Sequence, residues 1–135
     1  MTEQGLLGMA FSPHFATDHR FYLYYTDNNG DTVVSRYSVS SKIKADKSSE
    51  EILLTQAQDF KNHNGGWIDF GPDGMLYIGL GDGGRANDTK QRAQDLTTLL
   101  GKLLRVDVSS EEGYQVPADN PFFESESARP EILSY

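Results

Sequence analysis

Residues Asn62 to Gly84, NHNGGWIDFGPDGMLYIGLGDGG, hold two short apolar runs on either side of a turn. Gly66 to Phe70 and Met75 to Leu80 read as strands, and Gly71-Pro72-Asp73-Gly74 as the tight turn that joins them. Pro presets φ for the first central turn position and Gly supplies a positive φ later, so the hairpin has a mechanism. Antiparallel strands return the chain to its starting rim. Asn62 and His63, just before the hairpin, are therefore expected beside Gly81 to Gly84, just after it. His63 and Asp82 would then meet although 19 positions separate them in sequence. An imidazole titrates near neutral pH, and a carboxylate on one ring nitrogen fixes its tautomer and stabilises its cation. Gly65 and Gly66 would let a flat ligand approach the backbone closely.

The chain has 135 residues, enough for one core, and a formal net charge of −8. That balance argues against a nucleic-acid partner, because binding phosphates needs clustered Lys and Arg. The absence of cysteine excludes a disulfide framework and a thiolate metal site. No apolar run approaches the ~20 residues of a membrane-spanning helix. Met1 opens into polar and then core-like sequence without a signal peptide, so the chain is expected either to be cytosolic or to lack its natural start.

The rest reads as short strands at turn spacing. Gly5 to Phe11 is apolar and closes at Ser12-Pro13; Phe21 to Thr26 is aromatic and strand-like; Asp27 to Asp31 is a turn; Thr32 to Val39 is a strand. Ser40 to Glu51 reads as a charged surface loop, followed by a short strand at Ile52 to Leu54. Ala93, Leu96 and Leu100 have helical spacing, with Asn87 or Asp88 as N-cap and Gly101 as stop. Leu103 to Val108 and Glu131 to Tyr135 read as strands, with a rigid loop at Val116 to Pro121. Phe11-Ser12-Pro13 and the strand ending in Asp27 are echoed by Phe70-Gly71-Pro72 and the strand ending in Asp82. The prolines lie 59 positions apart and the aspartates 55, so the first copy has four more residues in its turn. A repeat of this length with several strands per unit is the pattern of propeller blades.

Several motifs carry weaker signals. Gly79, Gly81 and Gly84 spell G-x-G-x-x-G after a strand, with Asp107 further on, as a dinucleotide-binding fold requires. Against it stand the acid inside the loop and the hairpin turn where a crossover belongs. Asp27 to Asp31 resembles the start of a calcium loop, but its twelfth position is Ser38, so it reads as an ordinary turn. Asn87-Asp88-Thr89 matches an N-glycosylation acceptor, and His14 and His19 read as solvated surface residues.

Gly5 to Pro13, His63 to Gly66, Phe70 to Gly74, Gly81 to Gly84, Leu99 to Asp107 and Asp119-Asn120-Pro121 together resemble the glucose/sorbosone dehydrogenase family, in family order along nearly the whole chain. These are soluble quinoproteins that oxidise aldose sugars with pyrroloquinoline quinone (PQQ). The resemblance implies an all-β fold: two to three antiparallel four-stranded blades of a six-bladed β-propeller, an incomplete ring over residues 1–135. It implies that His63 is the general base for the sugar's anomeric hydroxyl and that Asp82 orients it. It places Glu3, Asn62 and Asn87 against the cofactor, where the best-known sugar oxidisers carry Gln, Asp and Gln. The charge of Glu3 beside an anionic quinone calls for a compensating cation. The resemblance further implies a sugar substrate, a soluble electron acceptor, Ca²⁺ with ligands mostly outside this chain, and a periplasmic or secreted location.

An incomplete propeller leaves blade faces and edges open, so the chain alone is expected to self-associate and not to turn over sugar. The rival reading is a binding module. Extracellular hedgehog-interacting-type proteins resemble this family through the His-x-Gly-Gly block and act by protein contact, but they are cysteine-rich.

Overall fold

The computed structural model describes residues 2–41 and 44–135. Its elements are β1 (Leu6–Phe11), α1 (Phe15–Asp18), β2 (Arg20–Thr26), β3 (Thr32–Ser41), β4 (Lys44–Gln56), β5 (Trp67–Phe70), β6 (Leu76–Gly79), β7 (Leu103–Val106) and β8 (Ile132–Ser134). They form two four-stranded sheets in the orders β1-β2-β3-β4 and β5-β6-β7-β8, antiparallel throughout. The fold is all-β, and the sheets are two blades of the propeller type. The dinucleotide reading of Gly79, Gly81 and Gly84 is overturned here, because β6 pairs antiparallel with β7 and no crossover helix joins them.

Alternation along β2 builds the seam between the blades. Tyr22 and Tyr24 turn inward with Val34 and Leu54, against Ile68, Leu76, Ile78, Leu104 and Val106 of the second blade, in one continuous core. Tyr22 meets Phe70 edge-on at 5.2 Å. The innermost strands β1 and β5 lie so close that a Cβ on Gly8 would fall 2.1 Å from the Gly66 carbonyl oxygen, which explains a glycine inside an apolar strand. Met9, Phe11, Ile52 and Trp67 stay more than half exposed. The sequence echo corresponds to the inner hairpins β1–β2 and β5–β6, and α1 occupies the longer first turn.

Arg36 ties the outer part of the first blade to the β7–β8 connection of the second. It is 4% exposed and donates through Nη1 to the carbonyls of Val108 (3.2 Å) and Ser110 (2.8 Å), and through Nη2 to that of Glu111. Its Nε donates to Glu51 Oε2 at 2.9 Å, and Glu51 Oε1 accepts the Gly113 N–H. Burial pushes the Glu51 carboxyl up, but Gly113 and Arg36 outweigh it and hold the group below its ordinary value of 4.5. A carboxyl depressed on folding stabilises the protein above its unfolded value, and that stability is lost as pH falls through the folded one. Arg36→Met is expected to cost about 3–5 kcal/mol near neutral pH, as for breaking other buried pairs. Urea unfolding curves check this, and the gap from the unaltered protein should narrow as Glu51 protonates.

Two expectations need correction. Residues 44–51 are not a loop: they are the first part of β4, while Lys42 and Ile43 lie outside the described residues. The strand is the outermost of its blade, so Lys44 and Asp46 stay at the surface while their backbone pairs with Ser41 and Ser38 of β3, and pairing resumes at Glu51. The helix expected before Gly101 does not form, and the segment instead makes two short 3₁₀ turns, Ala86–Asp88 and Arg92–Gln94. The Asp88 carboxylate accepts the N–H groups of Arg92 and Ala93, both at 2.9 Å, and ends any longer helix there. The Asp119-Asn120-Pro121 block pins the tail: Arg105 binds Asp119 at 2.7 Å, and Asn120 Nδ2 donates to the carbonyls of Arg105 and Pro130.

Candidate functional site

The central hairpin pairs Trp67 with Gly79 and Phe70 with Leu76. Gly74 at φ 77° closes its turn. At the opposite rim His63 Nδ1 lies 2.8 Å from Asp82 Oδ1, and the same oxygen accepts the Gly84 N–H at 3.0 Å. Donating Nδ1–H to the carboxylate leaves Nε2 as the basic nitrogen. Nε2 makes no hydrogen bond among the described residues, and the His63 side chain is 40% exposed, so a ligand can reach it.

His63 adopts the left-handed conformation, φ 56°. Its carbonyl accepts the Gly83 N–H at 3.3 Å and passes so close to Gly81 that a Cβ there would sit 1.9 Å from the oxygen. Asn64, fully buried, is held from the other blade: the Tyr24 hydroxyl donates to its carbonyl at 2.6 Å, and burial raises the Tyr24 pKa to about 12.

Glu3 reaches the same corner, where Glu3 Oε2 accepts the His63 N–H at 2.6 Å. Asn62 lies against Gly84, whose added Cβ would fall 2.8 Å from both Asn62 oxygens. Asn87 is set apart. It stands exposed on the Ala86–Asp88 turn, and no hydrogen bond among the described residues links its amide to the other four residues. Arg85, Asn87, Asp88 and Gln91 all have positive φ, a concentration of backbone strain beside the rim. Arg85 and Lys90 lie over the Phe60 ring at 5.8 and 5.7 Å, and Lys90 and Arg92 both bind Asp59.

Lys102 was not singled out from the sequence, although a lysine between Leu100 and Leu103 is the kind of buried charge that demands partners. It is 2% exposed and donates to the carbonyls of Arg92, Ala93 and Leu100, each at 2.8 Å. Burial lowers its pKa. With the Gly101 N–H bound to the Gly81 carbonyl at 2.7 Å, it fixes the 92–101 loop behind Asp82. Among the described residues no group of three His, Cys, Asp or Glu side chains is arranged to hold a metal ion. No helix among them is long and apolar enough to cross a membrane.

Two antiparallel four-stranded blades, the second carrying a histidine–carboxylate pair at the rim of its inner hairpin, define part of a β-propeller with a candidate site at that rim. Residues 1–135 match the family described as Glucose / Sorbosone dehydrogenase, and the chain belongs to it. It is 33% identical over 136 residues to the aldose sugar dehydrogenase YliI of Escherichia coli, covering 97% of this chain and 34% of that protein. It is also 33% identical over 147 residues to the human Hedgehog-interacting protein, covering 98% of this chain and 21% of that one. The structure of the PQQ-bound aldose sugar dehydrogenase from Streptomyces coelicolor superposes with a TM-score of 0.74 at 33% identity, over 99% of this chain and 36% of that one. The chain thus spans between a fifth and about a third of these relatives' lengths.

Proposed function

We propose that this chain supplies the proton-accepting side of a PQQ-dependent aldose dehydrogenase site. His63 Nε2 takes the proton of the sugar's anomeric hydroxyl, and Asp82, bound to Nδ1–H, holds the ring and stabilises its cation as the proton arrives. Positioned base catalysis of this kind contributes about 10²- to 10⁴-fold. PQQ, when bound, accepts the hydride from the anomeric carbon. The residues at the rim fit such a group: His63 and Gly65 are open to a flat ligand, Asn62 offers an amide, and the exposed Arg85, next in sequence to Gly84, supplies positive charge. The observation that carries this reading is the 2.8 Å contact between Nδ1 and Asp82 with Nε2 left unengaged.

The second reading, a protein-binding module, is favoured by the equal identity to the Hedgehog-interacting protein. One experiment separates the two. Residues 1–135 replace the matching blades of the E. coli relative, and glucose-driven dye reduction is measured with PQQ and Ca²⁺ supplied. PQQ-dependent turnover supports the enzyme; a folded chimera that binds PQQ but does not turn over favours the binding module.

A further inference from the structure

The resemblance places Glu3 against the cofactor, and one oxygen of its carboxylate is bound within this chain. Glu3 Oε2 accepts the backbone N–H of His63 at 2.6 Å, across 60 positions, and the Glu3 N–H donates to the Lys61 carbonyl at 2.8 Å. The segment before the first blade and the segment before the second are thus stitched together on either side of Asn62.

The residue being held is strained. A left-handed non-glycine backbone is costly and persists only where its surroundings impose it. His63, at φ 56°, is constrained at three points. Its ring is bound to Asp82, its carbonyl is confined by Gly81 and bound by the Gly83 N–H, and its own N–H is bound by Glu3. A hydrogen bond from an amide to a carboxylate is among the stronger ones available to a backbone. Among the described residues the Glu3 bond is the one hydrogen bond to the His63 N–H, and so it limits rotation that would swing the ring off Asp82.

We infer that Glu3 is a positioning residue for His63, holding its left-handed peptide so that the ring stays on Asp82. The inference rests on His63 being the base, so its test is made on His63 itself, with neither quinone nor sugar present. In the ¹⁵N-labelled chimera, Glu3→Ala is expected to speed exchange of the His63 amide about 10- to 100-fold, the loss of one charge-assisted hydrogen bond. It should also replace the single Nδ1–H tautomer signature of the His63 imidazole with averaged ring-nitrogen shifts. Glu3→Gln, which keeps a neutral acceptor of the same length, should recover a large part of both, a rescue that a general loss of stability would not show. If Glu3→Ala unfolds the chain, Glu3→Asp, one methylene short, serves in its place. Unchanged exchange and an unchanged tautomer in the Ala or Asp variant overturn the inference, as does a Gln variant that behaves like Ala. Failure of the chimera to oxidise sugar would refute the enzyme reading and leave these measurements standing.

Discussion

His63→Gln is expected to lower glucose-driven quinone reduction in the chimera by about 10³-fold while leaving PQQ affinity nearly unchanged. Gln approximates the size and polarity of imidazole but cannot take a proton at neutral pH, so only the proton-accepting step is removed, and the loss follows the range for a positioned base. The ring is 40% exposed and packs little, so the thermal midpoint should move by no more than surface substitutions usually cause. Stopped-flow absorbance of the quinone at saturating glucose gives the rate directly. A loss in PQQ binding at an unchanged rate would make His63 a cofactor contact and not a base.

Gly81→Ala should be the most damaging single methyl in the chain. Its Cβ would stand 1.9 Å from the His63 carbonyl oxygen, 2.5 Å from its carbonyl carbon and 3.1 Å from the Gly65 nitrogen. All three are backbone atoms in a strand-flanking loop, so no rotamer relieves the contact. The loop must open between His63 and Asp82, the two residues whose distance matters. We expect a loss of about 3 kcal/mol, at the upper end for overpacking, and a fall in thermal midpoint of roughly 10 °C or more. Gly74→Ala is the control: its Cβ would meet nothing within 4 Å, and only its φ of 77° opposes the substitution. It should cost about 1 kcal/mol and leave the site intact.

How much of this was legible in the sequence depended on how local the determining contacts are. The central hairpin was legible because Pro72 and Gly74 are turn signals within four residues of each other, and antiparallel return then brought His63 to Asp82 without further information. The outer strand β4 was not, because Lys44 and Asp46 carry the polarity of a loop while their backbone pairs with Ser41 and Ser38 of β3, and residues 47–50 lie at a register irregularity between Asp46 and Glu51. Ala93, Leu96 and Leu100 carried a true helical spacing that lost to Asp88, which takes two N–H groups, and to Lys102, which takes three carbonyls. Glu3 on His63 and Tyr24 on Asn64 were beyond reach for another reason. They cross 60 and 40 positions between the blades, and nothing in either segment alone says which face meets which.

The pairing of His63 with Asp82 as a unit that moves a proton is tested most directly by the rate of quinone reduction at saturating glucose in Asp82→Asn set against the unaltered chimera. Asn at this position can no longer accept Nδ1–H with a full negative charge or stabilise the imidazolium, so the rate should fall on the order of a hundredfold at constant PQQ affinity. Equal rates in the two proteins would contradict it.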